Sequence, residues 1–220
     1  MMTYILNIET ATKNCSVALA KDGEVLFCEE IAEEGYSHAE KLHVFIETVL
    51  KKANLTFNEL SAVAVSQGPG SYTGLRIGVS AAKGLCLALS IPLIAVDTLQ
   101  VLASQLKVNA GLIVPLIDAR RMEVYTAVFT AQWQKISETK PEILTENSFQ
   151  ELQETVYFIG DCNEKAKTVL NKENFVFIEK AIYPSARQMA LLSFKLFQQN
   201  KIVDVAYFEP FYLKEFRFAK

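Results

Sequence analysis

The sequence is poor in the residues that build metal clusters, disulfide frameworks and common nucleophile sites. Its 220 residues include only two histidines, His38 and His43, and four cysteines that form no Cys-x-x-Cys pair. The two histidines are five residues apart, so a helix would not turn them to one side as a metal pair requires. The chain also lacks a Gly-x-Ser-x-Gly elbow. We therefore expect no zinc cluster, disulfide scaffold or serine-hydrolase site.

Neither sign of charge dominates, and no apolar run is long. The 22 basic and 25 acidic residues give a net charge of -3, whereas a stand-alone nucleic-acid binder usually has a strong basic excess. The most apolar stretch, 85–96, is broken by Ser90 and Pro92 and falls short of the roughly 20 residues of a membrane helix. The N-terminus has no signal-peptide pattern. These features predict a reduced, cytoplasmic protein that does not bind membranes.

Half of the residues are apolar, which supports one large domain or two small ones. Hydrophobic periodicity and turn signals predict strands over 4–10, 15–21, 25–32, 62–66, 93–96, 111–117, 123–130, 136–143, 157–160 and 175–178. Helices are predicted from Ser37, over 71–89, from Thr98, weakly near Phe149, over 164–170 and over 185–199 with Pro184 at its first position. Each half thus begins with three strands before helices and strands alternate.

This repeated order predicts an α/β protein of two related subdomains, each with a mixed sheet flanked by helices. The boundary is placed between residues 106 and 107, giving subdomains 1–106 and 107–220. The last helix or tail of the second subdomain is expected to pack back on the first.

A glycine-rich loop follows the fourth strand and opens a helix. Gly68 and Gly70 let backbone amides approach an anion, and the helix start at Ser71 adds partial positive charge. Thr73 and Arg76 would complete such an anion or nucleotide contact. The alternative is a tight turn whose Ser or Thr caps the helix, and Lys83 lies too far along to act as a Walker lysine.

The helix after this loop carries small residues at a spacing of four. Gly74, Gly78 and Ala82, with Ala81 beside them, form a smooth stripe. Because glycine costs a helix about 1 kcal/mol relative to alanine, the stripe indicates close packing, either against another helix or against the protein's own sheet. Phe45, on the flank of the first helix near His38, would be unfavourable in water, which favours a partner there.

Two further segments combine charge with possible contact roles. Arg120 lies between two strands and is a candidate for holding phosphate or carboxylate; the alternative is a hairpin tip with Asp118 pairing locally. The tail 210–218 alternates aromatic and basic residues, which is typical of a nucleic-acid or partner contact. The alternative for the tail is a closing segment packed on the fold.

The segment 68–78, Gly-Pro-Gly-Ser-Tyr-Thr-Gly-Leu-Arg-Ile-Gly, resembles the TsaB (YeaZ) family, as do 8–11, 37–42, 118–125 and 210–214. This resemblance implies an actin-like fold (ASKHA, ribonuclease H-like). It also implies a part in making threonylcarbamoyladenosine in tRNA. Proteins of that family are non-catalytic partners of TsaD, which transfers the threonylcarbamoyl group, and the complex recruits the ATPase TsaE.

Comparison with TsaD agrees with a non-catalytic part. Thr98 and Leu102 stand where TsaD has its metal-binding histidine pair, and neither side chain replaces an imidazole as a ligand. Glu9 ends the first strand, where actin-like ATPases place an aspartate before a glycine. We expect no metal and no cofactor on this chain alone, while the resemblance leaves room for ATP or ADP at the interface with TsaD.

The resemblance also assigns the partner surface. TsaB and TsaD of this family join through the first two helices of each N-terminal domain, and the same surface can pair two TsaB copies when TsaD is missing. The residues expected there are His38, Leu42, Phe45, Gly74, Gly78, Ala81 and Ala82. tRNA is expected to be reached only through the complex. The alternatives are an actin-like small-molecule kinase or ATPase and, more remotely, a metallopeptidase.

Overall fold

The computed structural model describes residues 2–32, 38–180 and 182–214. The first half comprises β1 (Tyr4–Glu9), β2 (Asn14–Lys21), β3 (Glu24–Ala32), α1 (His38–Ala53), β4 (Ala62–Ser66), α2 (Tyr72–Leu89), β5 (Leu93–Val96) and α3 (Thr98–Ala103). The second comprises β6 (Leu112–Asp118), β7 (Glu123–Thr126), β8 (Phe129–Thr130), β9 (Lys140–Ile143), β10 (Val156–Gly160), α4 (Asn163–Lys167), β11 (Phe175–Ile178) and α5 (Ala186–Gln198). The predicted cap Ser37 and the tail beyond residue 214 lie outside the described residues.

The first sheet has the strand order β3-β2-β1-β4-β5. Its central strand β1 runs antiparallel to β2 and parallel to β4, so that Ile8 lies opposite Val17 on one side and Val65 on the other. Helices α1 and α2 cover one face, and α5 covers the other. Because both faces are covered, seven of the eight residues of β2 are buried, and residues 17–20 form a continuous apolar run rather than an alternating one.

The second sheet repeats this topology in the order β11-β10-β6-β7-β9. Here β6 takes the place of β1: it is antiparallel to β7 and parallel to β10, with β9 and β11 at the edges. The short strand β8 also pairs with β6. The prediction of two related mixed sheets flanked by helices is confirmed.

Each half contributes a helix to the other half's sheet. Helix α3 follows the first sheet but packs Leu99 and Leu102 against Phe129 of the second half. Helix α5 ends the second half but packs Met189 against Ile94 of the first sheet. The predicted boundary between residues 106 and 107 falls in the connection between α3 and β6, and it stays a prediction.

Two local expectations are wrong for conformational reasons. Phe149 has φ of 63°, in the left-handed region, which ends any helix at that position, so the weak helix predicted there is a series of turns. Pro184 is not the first helical residue: Ser185 caps α5 by accepting a hydrogen bond from the Arg187 amide at 3.2 Å, and the helix begins at Ala186.

The strand predicted over 123–130 is interrupted between β7 and β8. At the break, the Val128 amide donates to Ser137 Oγ at 2.8 Å and the Ile136 amide donates to the Val128 carbonyl at 2.9 Å. These bonds occupy residues 136 and 137, so the strand predicted over 136–143 is reduced to β9. In the described ranges, no helix has the length and apolar content needed to cross a membrane.

Candidate partner-binding surface

Helices α1 and α2 lie side by side on one face of the first sheet. A single core there buries Leu42, Ile46 and Val49 of α1 together with Val79 of α2. Burying each such side chain contributes about 1.5–3 kcal/mol relative to leaving it exposed. The two helices are therefore held firmly on the sheet and leave their outer faces available.

The small residues expected to face a partner are turned into the protein. A methyl group on Gly74 would lie 2.1 Å from the Thr10 carbonyl oxygen, and one on Gly78 would lie 2.2 Å from Thr10 Oγ1. That hydroxyl donates to the Gly74 carbonyl at 2.8 Å, and Ala82 is fully buried. The stripe lets α2 approach β1. Contact of Gly74, Gly78 and Ala82 with a partner is therefore wrong, because the chain itself covers them.

His38 and Leu42 are also interior, which corrects their assignment to the partner surface. His38 Nε2 lies 2.8 Å from the Thr12 carbonyl and donates to it. Burial lowers the pKa of His38, so the ring is neutral at pH 7 and Nδ1 is the unprotonated nitrogen. Leu42 is fully buried in the core under α1. These side chains fix α1 to the sheet and to the β1–β2 turn.

Phe45 and Ala81 are partly buried and keep some exposed surface. Phe45 is seven residues before Lys52, so the two lie on one flank of α1. Lys52 pairs with Glu29 of β3, which places Phe45 on the β3 side of the helix. Partner contact by Phe45 and Ala81 stays a prediction.

A different set of residues forms the outer face of the two helices. Val44 is 55% exposed on α1 and Leu87 is 67% exposed on α2. Helix α2 also presents small residues at its surface, and a methyl group on Gly84 would meet no described residue within 4 Å. We call Val44, Ser80, Ala81, Gly84 and Leu87 the helix-pair surface.

Sequence reasoning missed Gly84 because the spacing of four drew attention to the buried stripe. Gly84 lies six residues after Gly78, which turns it about 240° around the helix, away from that stripe. The sequence does contain a signal for this position: Gly84 is a glycine within the helix that does not follow the spacing of four shared by Gly74 and Gly78.

The glycine-rich loop is held by contacts within the chain. The Gly68 amide donates to Thr98 Oγ1 at 2.9 Å, and the Ser71 amide donates to the Ala11 carbonyl at 2.7 Å. A methyl group on Gly70 would lie 2.3 Å from the same carbonyl oxygen. Two amides are already used and a carbonyl oxygen faces the loop, so the structure argues against an anion at Gly68, Gly70 and Ser71. The turn capped by Ser71 is the observed alternative: Ser71 Oγ accepts from the Gly74 amide.

The other residues proposed for anion contact are exposed. Thr73 and Arg76 lie on the surface of α2, with Arg76 Cζ 4.7 Å from the centre of the Tyr72 ring. Arg120 stands at the tip of the β6–β7 hairpin with φ of 74°, and its amide donates to Asp118 Oδ1 at 3.2 Å. Anion contact by Thr73, Arg76 and Arg120 stays a prediction.

The positions that the resemblance in sequence aligns with metal or phosphate sites of TsaD and actin-like ATPases are interior here. Glu9 is completely buried, and its Oε1 accepts from the Ala11 amide at 2.6 Å. Burial raises the pKa of Glu9 to about 7. Thr98 and Leu102 are completely buried as well, and Thr98 Oγ1 lies 2.6 Å from Ser66 Oγ. In the described part of the chain, no group of three or more His, Cys, Asp or Glu side chains is close enough to hold a metal ion.

The cysteines are free thiols with no sign of activation. Cys15 and Cys86 are buried, and burial raises the pKa of each to about 11. Such thiols stay protonated at pH 7 and are poor nucleophiles. Cys15 and Cys86 are therefore core residues under α1 and α2 rather than reactive groups.

Comparison with known proteins assigns the family. Residues 30–215 match the family model of TsaD, tRNA N6-adenosine threonylcarbamoyltransferase. The tRNA threonylcarbamoyladenosine biosynthesis protein TsaB of Escherichia coli is 34% identical over 221 residues, covering 96% of this chain and 94% of that protein. The TsaB protein of Bacillus subtilis is 30% identical over 219 residues, covering 96% of this chain and 93% of that protein.

Solved structures agree on the fold. YeaZ from Pseudomonas aeruginosa superposes with a TM-score of 0.84 at 24% identity, covering 96% of this chain and all of that one. Its similarity extends over both sheets, and the two-sheet arrangement is the actin-like fold implied by the resemblance in sequence. Together with the identities above, this shows that the chain belongs to the TsaB (YeaZ) family.

Proposed function

We propose that this chain is a non-catalytic scaffold that binds TsaD and supports the synthesis of threonylcarbamoyladenosine in tRNA. Its relatives are named for that biosynthesis. Within the complex, the chain supplies a docking surface, and TsaD supplies the transfer chemistry. TsaE joins the assembled complex, which works in the cytoplasm, and any ATP or ADP is held at the interface with TsaD.

The observation that carries the proposal is the open space around Gly84. A glycine inside a helix costs about 1 kcal/mol relative to alanine, and no atom of the described residues comes within 4 Å of the position that a methyl group on Gly84 would take. The buried glycines of α2 are explained by contact with Thr10, but Gly84 is not. The close approach of another chain explains it, since small residues let a partner helix pack tightly.

The apolar residues around Gly84 support the same surface. Val44 and Leu87 are more than half exposed, and burial of their remaining exposed surface in an interface would contribute about 1–2 kcal/mol each. The helix-pair surface therefore combines a small centre with exposed apolar side chains, as a packed helical interface requires. A second copy of this chain can occupy the surface when TsaD is missing.

The non-catalytic part of the proposal is supported by the interior positions of Glu9, Thr98 and Leu102. A buried carboxyl group whose pKa is near 7 is not presented to a metal or phosphate. Thr98 uses its hydroxyl to hold the Gly68 amide. These side chains stabilise the strand ends.

Co-elution with TsaD of the same organism on gel filtration tests the proposal. Gly84→Arg has room to fold and places a long charged side chain in the surface, so we expect TsaD binding to weaken at least 100-fold. The matched control is Leu191→Arg, which changes an apolar residue that is 42% exposed on α5, on the opposite face of the sheet. The control should co-elute with TsaD as the unaltered chain does. Co-elution of Gly84→Arg with TsaD would contradict the proposal.

A further inference from the structure

The C-terminal segment 201–214 crosses from the first sheet to the second half. Val203 bridges to Leu93 at the edge strand β5, and Lys83 Nζ donates to the carbonyls of Ala206 and Phe208 at 3.1 and 3.0 Å. Farther on, the Phe211 amide donates to the Gln67 carbonyl at 2.7 Å. Backbone contacts thus hold this segment against the glycine-rich loop, and the side chains that follow Phe211 have defined positions.

Tyr212 pairs with a tyrosine of α2 beside an arginine. The centres of the Tyr72 and Tyr212 rings are 5.0 Å apart at an angle of 40°, and Tyr212 is 37% exposed. Arg76 lies over the Tyr72 ring and acts electrostatically on Tyr212. The arrangement fixes a cation next to an aromatic face that is open to solvent.

The same segment brings a second aromatic and cationic group close by. Lys214 pairs with Glu123, and its Nζ lies 5.8 Å from the centre of the Tyr125 ring. Arg120 stands at the adjacent hairpin tip and acts electrostatically on Tyr125. We call this group of aromatic and cationic side chains the tyrosine–arginine platform; it consists of Tyr72, Arg76, Tyr212, Lys214, Tyr125 and Arg120.

Some charged side chains of the platform have partners of opposite charge, and others do not. Glu209 acts electrostatically on Tyr212. Two other nearby carboxylates already have cationic partners: Glu123 pairs with Lys214, and Asp118 pairs with Lys165. By contrast, no carboxylate of the described residues lies within ion-pair distance of the guanidinium of Arg76 or Arg120. Two exposed cations therefore lack anionic partners and lie beside aromatic rings.

We propose that the tyrosine–arginine platform binds unpaired nucleotides of RNA. Bases stack on tyrosine faces with little dependence on sequence, while arginines hold the phosphates. The exposed face of Tyr212 is the stacking surface, and Arg76 and Arg120 are the phosphate contacts. The inference rests on the proposed function, since an RNA substrate gives the complex a reason to carry such a surface. It is an alternative to the expectation that this chain reaches tRNA only through its partner, which stays a prediction.

Fluorescence anisotropy with two labelled RNA probes tests the inference. One probe is a 17-nucleotide hairpin with seven unpaired loop nucleotides, and the other is a fully paired duplex of similar length. Tyr212→Ala should weaken hairpin binding by about 5- to 100-fold, the loss of one base stack, and should change duplex binding little. The full chain is measured alone and in complex with TsaD.

A salt titration separates the roles of the two residue types. Arg76→Ala should reduce the slope of log affinity against log salt concentration by about 1, because one phosphate contact is lost. Tyr212→Ala should weaken binding without changing that slope. The matched control is Tyr207→Ala, which changes a tyrosine that is 85% exposed elsewhere in the same segment and should bind the hairpin as the unaltered chain does.

Three results would overturn the inference: unchanged hairpin affinity in both Tyr212→Ala and Arg76→Ala, equal affinity for hairpin and duplex, or an equal loss in Tyr207→Ala. Tyr212→Leu keeps an apolar side chain in the segment but removes the aromatic face, so it should lose hairpin affinity as Tyr212→Ala does. Thermal melting of each variant identifies any that fails to fold. Gly84→Arg separates this inference from the proposed function: it should lose TsaD while the isolated chain keeps its RNA affinity.

Discussion

The two halves of the molecule share one sheet topology but differ in the helices that cover it. Between β3 and β4 the first half has the 16-residue helix α1, whereas the described residues between β9 and β10 form only turns. After β4 comes the 18-residue helix α2, whereas β10 is followed by the five-residue helix α4. A long pair of helices, with Val44 and Leu87 exposed on its outer face, is thus found on one side of an otherwise repeated structure.

The second half closes its core with aromatic rings in place of long helices. Phe158 lies 5.4 Å from Phe149 and 5.0 Å from both Phe175 and Phe177 between ring centres. Aromatic side chains can therefore cover the face of this kind of sheet without long helices. The extra helical surface of the first half therefore has another use, and partner binding is the use we assign to it.

The largest effect should come from the aromatic core of the second half. Phe158→Ala removes a fully buried ring, so we expect the free energy of unfolding to fall by about 3–5 kcal/mol. Because α3 and α5 pack across the two halves, calorimetry should still show one transition, shifted to lower temperature. Separate melting of two units would show that the halves are independent and would contradict the exchange of helices as a source of cooperativity.

The next effect tests the inner face of α2. Gly74→Ala places a methyl group against the Thr10 backbone carbonyl, and such overpacking typically costs about 1–3 kcal/mol. We expect the midpoint of urea unfolding to fall accordingly. An unchanged midpoint would mean that α2 does not need close contact with β1.

A comparable effect should appear in the dependence of stability on pH. Glu9 and Asp118 end the equivalent central strands, but Glu9 is buried with a pKa raised to about 7, whereas Asp118 is half exposed and pairs with Lys165. A raised pKa in the folded state means that stability is greatest below the unfolded value of 4.5 and is lost as the pH rises through about 7.

Glu9→Gln should therefore remove a loss of about 3 kcal/mol that the unaltered chain shows between pH 4.5 and pH 8. Asp118→Asn is the matched change in the second half and should alter stability by less than about 1 kcal/mol. Urea unfolding of both variants across this pH range measures the difference. Parallel pH profiles of Glu9→Gln and the unaltered chain would disprove the role of Glu9.

The smallest effect has the opposite sign and tests the outer face of α2. The methyl group of Gly84→Ala would meet nothing within 4 Å in the part of the chain that the structure describes, so the change should raise the free energy of unfolding by up to about 1 kcal/mol. A thermal melt of the isolated chain measures this gain. Destabilisation would show that Gly84 is required by the chain itself and would remove the main argument for a partner at this position.

The sequence was sufficient for the order of elements but not for the direction in which side chains face. The strands over 62–66, 93–96 and 175–178 were predicted with the bounds that the structure has, because buried parallel strands are short apolar runs between turn signals. The small stripe of α2 was recognised, but periodicity alone does not say which neighbour a stripe contacts. That depends on Thr10, which is 64 residues away from Gly74.

The glycine-rich loop likewise shows that a sequence pattern does not identify which group a residue contacts. Its glycines predicted close backbone approach, and the approach is real, but the group that comes close is the Ala11 carbonyl rather than a phosphate. The tyrosine–arginine platform could not be predicted from the sequence either, because its residues come from α2, the β6–β7 hairpin and the tail, which are far apart along the chain. Such a site is assembled only by the fold.

Hydrogen–deuterium exchange of the full chain, alone and bound to TsaD, tests the central claim most directly. If the outer face of the helix pair is the partner surface, TsaD should slow exchange in peptides from α1 and from residues 73–88 of α2, and it should leave α5 and the second sheet unchanged. Protection confined to α5 or to strands β6–β11, with α1 and α2 unaffected, would contradict the account.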